Sequence, residues 1–488
     1  MDLHELFLAC RKGDLSRVKH LVEQKEVDLN VRDRWDSTPL YYACLCGHED
    51  LMVLYPCTCP GARCEANTFD GERCLYGALN DRIRNMLKNY KQVTSQTLRR
   101  DNYDEFLRKL LELGNYEDVE FEVHDEVFTA HKCILSARSG YFAEMLQTKW
   151  KNKAHVQIKH SLVNPSAFRS VLQYLYTGRL DTDVYNVEDC IRLAKQCRLG
   201  KLIDELEKRL KAVYDFVSTK PGTHVTMISV EHEGLYNQDL CEDFGRLAES
   251  CMPPELGNWV TSGVLPFFCS PEDEDKTAYD DVCFEVESHR FYCHKVFLCG
   301  RSDYFKALLI DHFSERPKED SETEAPIPVV ELHDVSAYVF SRVLYYIYQD
   351  STEVSPDHVF EVLRVADMYL LPGLKRQCAN VISQHLDENN VIPVLRASRL
   401  FELPRLEDQC TEYMAKVLDK LVETDDFADL VREDAAQVEA REETDSIPVV
   451  DDIRYHITSN VQTYSALDEA NQKLAALDWL LDRLGLEG

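Results

Sequence analysis

Two pairs of residues in this chain have the types needed for acid–base chemistry. Asp118 precedes His131 by thirteen residues, and Asp281 precedes His294 by the same thirteen. A carboxylate that orients an imidazole is how a general base is built. Cysteine offers a second chemistry, and Cys44/Cys46 and Cys57/Cys59/Cys64 are the tightest clusters among the 18 cysteines. Structural zinc needs a second ligand pair at C-x2-C or H-x3-H spacing, which neither cluster has. The acid–base reading meets an objection in the duplication itself. A pair that recurs where a strand runs into a helix has the character of a hydrogen-bonded structural residue. Arg138/Ser139 and Arg301/Ser302 read likewise as polar contacts of a helix turn, and Tyr174/Tyr176 and Tyr345/Tyr346/Tyr348 as core and rim. The chain contains no G-x-x-x-x-G-K-[ST] loop, G-x-G-x-x-G fingerprint, G-x-S-x-G elbow or H-E-x-x-H pair, so no local signal points to nucleotide binding, serine hydrolysis or zinc proteolysis. The expectation is a non-enzyme with no cofactor, no metal and no small-molecule substrate.

The elements that carry these residues repeat. Alternation at Val119, Phe121 and Val123 predicts a half-buried strand, Phe128 lies on a second strand, and Leu135, Phe142, Met145 and Leu146 have helical spacing. Strand Val156–Ile158 and a helix ending at Tyr176 complete the unit. The same series returns at Asp281, Phe284, Phe291, His294, Arg301 and Tyr304, offset by 163 residues. By Tyr176 and Tyr348 the offset has grown to 172, and the nine extra residues fall in the acidic, proline-bearing loop Ser314–Pro328. A shorter period sits at the N-terminus, where Ala9-Cys10…Gly13 recurs as Ala43-Cys44…Gly47, 34 residues later, with a degraded third copy at Leu75–Ala78. Within it Thr38 can cap a helix, Pro39 takes the first helical position, and Leu40 and Ala43 begin the buried face. Pro56 and Pro60 must end the second repeat's outer helix early, which predicts an irregular loop around 55–61.

Composition bounds the partners. Acidic residues outnumber basic ones 86 to 55, for a formal charge of -31 and a pI near 4.9. Phosphate backbones would be repelled over most of such a surface, so no nucleic-acid partner is expected. Charges at positions 2, 5, 11, 12 and 14 leave no room for a secretory signal, and no apolar run approaches the roughly 18 residues that cross a bilayer. No membrane partner is expected. These features predict mostly reduced cysteines and an intracellular location, in the cytoplasm or in cytoplasm and nucleus.

The 34-residue period with Thr38-Pro39-Leu40 resembles the ankyrin repeat. The pattern D-V-x-F-x-V, F-x-x-H-K, R-S-x-Y-F and Y-L-Y-T-G resembles the BTB/POZ domain, twice over. The helices after the second copy, around Asn390–Ile392, Ala397–Phe401 and Leu406–Cys410, resemble the BACK extension that follows many BTB domains. The resemblance implies a predominantly helical α+β fold: a short ankyrin helical array, two BTB/POZ domains and a C-terminal helical extension. The expected boundaries are ankyrin repeats 1–95, first BTB/POZ domain 101–213, linker 214–275, second BTB/POZ domain 276–380, BACK-like helices 381–430, and an acidic segment with a C-terminal helix 431–488. Leu467, Leu474, Leu477, Leu481 and Leu484 predict that this last helix packs back on the body.

Function then lies in surfaces that bind proteins. The family resemblance implies self-association and, in one large branch, docking to cullin-3 through a hydrophobic-x-acidic motif. Leu309, Phe313 and Glu315 supply it in the second copy; Lys149-Trp150-Lys151 in the first copy does not. Ahead of the first copy Tyr103, Phe106, Leu107, Leu110 and Leu111 form an amphipathic helix like the one exchanged in dimeric BTB domains. Pro253-Pro254 and Pro266 predict an interruption of any counterpart ahead of the second. The two copies are therefore expected to pair within one chain, with a homodimer through the first copy as the alternative. Arg34, Trp35 and Asp36, at a repeat tip, are the client-binding candidates. The expected role is an adaptor that brings client proteins to a cullin-3 ubiquitin ligase; the alternative is a scaffold in signalling or transcriptional complexes.

Overall fold

A computed structural model describes residues 2–23, 31–35, 37–48, 51, 69–89, 102–219, 225–230, 238–253, 256, 279–311, 327–437, 446–459 and 464–486. It divides into two compact units. The first is Met1–Arg301 with Phe313–Leu332 and Ile347–Asp350; the second is Ser302–His312, His333–Tyr346 and Ser351–Gly488.

The first unit begins with helices Asp2–Lys12, Leu15–Glu23, Pro39–Cys46, Phe69–Gly77 and Asp81–Asn89. Their inner faces share one core that runs from Leu6, Ala9 and Cys10 through Leu40, Ala43 and Cys44 to Cys74, Ala78 and Ile83. Thr38 Oγ1 accepts the Tyr41 amide at 3.3 Å and Pro39 opens the helix. Gly47 closes it in the left-handed region, φ 81°. The irregular loop expected at 55–61 lies outside the described residues.

The first copy follows. A helix, Asn102–Leu113, leads into β1 (Val119–Val123) and β2 (Glu126–Ala130), then helices Lys132–Arg138 and Gly140–Gln147, β3 (His155–Ile158) and helix Pro165–Thr177. β1 lies centrally, antiparallel to β2 and parallel to β3. Its inward residues Val119, Phe121 and Val123 are buried, as the alternation requires. β4 (Leu180–Asp183) and helices Val187–Gln196 and Gly200–Thr219 complete the copy.

Two elements stand inside the stretch 214–275, where a linker was expected. β5 (Met227–Val230) pairs antiparallel with β4, and helix Gln238–Ser250 buries Leu240, Phe244, Leu247 and Ala248. The second copy repeats the sheet with β6 (Val282–Val286), β7 (His289–Cys293) and β8 (Val329–Glu331) in the order β7-β6-β8, and continues with helix Lys295–Arg301.

The second unit is helical. Helix Ala337–Gln349 gives it all but the last turn; Val359–Met368, Pro372–Gln384, Val391–Leu400 and Pro404–Lys416 follow as hairpins. Each hairpin turns through one left-handed residue, Leu370 (φ 54°) or Glu402 (φ 52°), before a Leu-Pro pair that starts the next helix. The body does not stop at 430. Helices Asp425–Ala435, Pro448–Ser459 and Tyr464–Leu484 pack onto it, the last through Leu477, Leu480 and Leu481. A buried carboxylate joins these parts: Asp434 accepts from the two terminal guanidinium nitrogens of Arg399, at 2.5 and 3.0 Å, and from the Val449 amide at 3.0 Å.

Candidate functional site

The paired Asp and His residues do not assemble a general base. Asp118 Oδ1 accepts the Lys132 amide at 2.7 Å and Asp281 Oδ1 accepts the Lys295 amide at 2.7 Å, so each carboxylate caps the helix after its histidine. Burial pushes both carboxyls up from the usual range. His131 instead sits against Tyr176. Its backbone amide donates to the Tyr176 hydroxyl at 2.9 Å, that hydroxyl donates to Nδ1 at 2.7 Å, and Nε2–H donates to the Asn115 carbonyl at 2.7 Å. This ring is neutral and fully satisfied, and burial holds its pKa below the usual value. His294 repeats the arrangement with Tyr348, both contacts at 2.9 Å. There Cys251 Sγ comes within 3.7 Å of Nδ1 and 3.5 Å of the Tyr348 hydroxyl, while its thiol donates to the Leu247 carbonyl at 3.3 Å.

What the geometry does build is a reciprocal interface. Helix Asn102–Leu113 packs on helix Pro165–Thr177 of its own copy and on helix Lys295–Arg301 of the other. Tyr103, Phe106, Leu107 and Leu110 are buried there and Leu111 half-buried. The Phe106 ring lies 6.0 Å from Phe297, and Gly300 is what admits it: a Cβ at that position would stand 2.2 Å from the ring. The Tyr103 hydroxyl donates to the Tyr348 carbonyl. Arg301 lies over the Tyr103 ring at 4.8 Å and pairs with Asp350.

Helix Gln238–Ser250 returns the favour. It packs on helix Lys132–Arg138 of the first copy, where Asp243 pairs with Arg138, the residue equivalent to Arg301. Arg138 Nε also donates to the Leu175 carbonyl at 3.0 Å. Tyr116 (φ 65°) reaches Cys299, and its equivalent Tyr279 (φ 62°) reaches Ser136, the equivalent of Cys299. A contact from i to j matched by one from i′ to j′ is the mark of a two-fold interface, here formed within one polypeptide. The expectation that only the first copy carries an exchanged helix is therefore corrected. Pro253-Pro254 lie beyond the end of the second helix at Ser250 and do not interrupt it.

The two copies differ at one edge. In the first, β5 lies along β4 with Leu180 opposite Val230 and Thr182 opposite Ile228, and the Val184 amide donates to the Thr226 carbonyl at 2.9 Å. In the second, 172 residues on, Val184 becomes Pro356, which has no amide hydrogen, and the Thr352 amide donates to Gln377 Oε1 at 3.3 Å. The segment forms no strand.

Comparison with known proteins agrees with this duplication. The BTB/POZ domain family matches residues 107–213 and again 272–386, and the family of ankyrin repeats matches 6–54. BTB/POZ domain-containing protein 3 of Schizosaccharomyces pombe is 31% identical over 506 residues, covering 99% of this chain and 90% of that protein. The chain belongs to the ankyrin repeat and BTB/POZ domain-containing proteins. An ankyrin repeat-containing protein of Saccharomyces cerevisiae is 28% identical over 93% of this chain and 89% of its own length. Kelch-like protein 40 of Xenopus tropicalis is 25% identical over 24% of this chain and 17% of its own. Both domain types bind proteins, so the chain is a protein–protein interaction adaptor.

Of the expected docking residues in the second BTB/POZ copy, Leu309 is half-buried in a π-helical turn, Ala307–Asp311. Phe313 and Glu315 lie outside the described residues. Trp150, the first-copy equivalent of Phe313, packs inward on Phe121 at 5.6 Å and Phe142 at 6.1 Å. At the ankyrin tip Trp35 is 56% exposed with Arg34 stacked on it, and Asp36 lies outside the described residues. Cys44 is buried and Cys46 exposed; Cys57, Cys59 and Cys64 lie outside the described residues. Among the described residues no helix is long and apolar enough to cross a membrane. The reciprocal helix, missed in the sequence, left a signal in the helical spacing of Leu240, Phe244 and Leu247.

Proposed function

We propose that the chain is a substrate adaptor of a cullin-3 ubiquitin ligase in which the two BTB/POZ copies form their pair internally and the ankyrin unit selects the client. The observation that carries this reading is the reciprocal packing of helices Asn102–Leu113 and Gln238–Ser250, each on the other copy. A pair closed in this way needs no second chain, and one polypeptide then holds one BTB pair and one client face. The second copy supplies the cullin surface through Leu309, Phe313 and Glu315, the hydrophobic-x-acidic motif that the family resemblance implies. Support comes also from the likeness of part of the chain to a Kelch-like protein.

The test is capture of the full-length chain by purified cullin-3. Binding is expected from the intact protein and a loss of at least about tenfold for Glu315→Lys, as for truncation of a charge at an interface. Phe313→Ala should weaken capture too, and Glu315→Lys, which reverses a charge, is the more decisive variant. Absence of capture by the intact chain would leave a scaffold that assembles complexes without a ligase.

A further inference from the structure

We infer that the ankyrin unit binds a short acidic segment of a partner protein across a ladder of arginines and aromatic rings, which deepens the client-binding role just proposed. The ladder is continuous. Arg11 lies over the Tyr42 ring at 4.0 Å, and Tyr42 meets Tyr41 edge-on at 5.5 Å. Arg73 lies over Tyr41 at 5.4 Å and donates to the Trp35 carbonyl at 3.2 Å, and Arg34 stacks on Trp35 at 3.9 Å. Three guanidiniums thus sit on three rings. Arg11 and Arg34 are exposed, and Arg34 has no carboxylate partner among the described residues. The neighbouring carboxylate, Asp33, is occupied by the turn: it accepts the Tyr42 hydroxyl at 2.6 Å and the amides of Trp35 and Ser37 at 2.9 and 3.0 Å.

A guanidinium held flat on a ring is weakly hydrated, and at Arg34 the N–H fork can take a carboxylate in two parallel hydrogen bonds, while Arg73, which donates to Trp35 and Ser37, holds the tip in place and adds charge. The occupant follows from charge. The chain as a whole carries -31, but fields are screened over about 10 Å at 0.1 M salt, so a short ligand feels the three guanidiniums and the charges beside them, Asp33 included, and little of the acidic remainder. A nucleic acid extends beyond that range and meets the acidic remainder. Exposed Trp35 and the tyrosine edges add an apolar contact, so the fitting segment alternates Glu or Asp with a Leu or Phe.

The experiment uses the full-length protein and a fluorescein-labelled peptide, Glu-Asp-Leu-Glu-Glu-Leu-Asp-Glu, read by anisotropy. The same peptide with lysine at every acid and a single-stranded oligonucleotide serve as competitors for the assignment. The acidic peptide is expected to bind, to lose affinity at least about tenfold in Arg11→Glu/Arg34→Glu, and to weaken several-fold from about 50 to 200 mM salt. Trp35→Ala, which leaves all charges in place, should also weaken it. No binding, equal binding by the double-charge variant, or tighter binding of the lysine peptide or the oligonucleotide would each overturn the inference. Circular dichroism melts of the variants guard against loss of fold. Cullin-3 capture by Arg11→Glu/Arg34→Glu should be unchanged, so a failure here is separable from a failure of the ligase reading.

Discussion

In the first BTB/POZ copy strand β4 accepts β5, a strand that precedes the other copy's leading helix; in the second copy the matching segment carries Pro356 and a Gln377 cap and pairs with no strand. Beneath that edge three features are shared. Both copies hold the helix cap from Asp118 or Asp281, the His–Tyr contact, and a serine, Ser139 or Ser302, that donates to the carbonyl of the residue 58 or 67 places later. Duplication therefore preserved the core and the reciprocal helices while releasing one edge from its partner. An edge with a proline and a side-chain cap resists further pairing, which is how sheet proteins avoid adding strands from other chains. The comparison teaches that a two-fold interface inside one chain need not be symmetric: a strand exchanged once suffices when the helices are exchanged twice.

The strongest way to break the comparison is at the exchanged helix. Phe106→Ala should cost about 3–5 kcal/mol, as for other buried phenylalanines, and Gly300→Val about 1–3 kcal/mol by overpacking against the same ring. Urea unfolding with the far-UV signal reads both. An effect of less than about 1 kcal/mol from Phe106→Ala would mean the helix is not seated between the copies.

The next largest effect compares the two arginines. Asp243→Ala removes a carboxylate contributed by the other copy and Asp350→Ala one from the same copy, and both leave a guanidinium with a side chain only 5% exposed. Each should cost about 2–3 kcal/mol, less than a wholly buried pair because the aspartates are partly exposed. If Asp243→Ala were silent while Asp350→Ala was costly, the reciprocity would fail at this pair.

A smaller effect is pH dependence assigned to the first copy. His131 has its folded pKa depressed by burial below the ordinary 6.5. The unfolded chain therefore binds the proton first, and stability that is whole above about pH 6.5 falls as pH drops below it, by at most about 1.4 kcal/mol per unit. The measurement is the urea midpoint between pH 8 and 5, with His131→Asn expected to flatten this slope. An unchanged slope in that variant would place the titration elsewhere.

Least of all, Pro356→Val should move stability by less than about 0.5 kcal/mol, since the residue is an exposed surface position. Its interest is the edge: the new amide is expected to exchange with solvent deuterium quickly, whereas the Val184 amide, bonded to Thr226, exchanges slowly. Equal protection of both would mean the second edge is filled as the first is.

Much of this was legible in the residues. Offsets of 34, 163 and 172 located the repeats because a duplicated core keeps the spacing of its inward side chains, and Thr38-Pro39 marked a helix start because capping is local. The helix within 214–275 is hidden in the sequence for a physical reason. The helices ahead of the copies lie 137 residues apart by the match of Leu107 with Phe244, not 163, since the chain after Ser250 carries extra residues before β6. Their sequences share only an apolar spacing, and Pro253-Pro254 mark a break that falls after the helix. β5 was illegible because its four residues have meaning only beside β4, a long-range pairing that no local pattern specifies. The extent of the C-terminal body was hidden likewise, since Asp434, an acidic residue in an acidic stretch, gives no sign in sequence that it is buried under Arg399.

The central claim is that the two copies satisfy one another inside a single polypeptide. Light scattering on the full-length chain as it leaves a sizing column tests it most directly. The account predicts one species at the chain mass of 56.4 kDa, unchanged over a hundredfold range of loading concentration. A stable species of twice that mass, persisting on dilution, would contradict it.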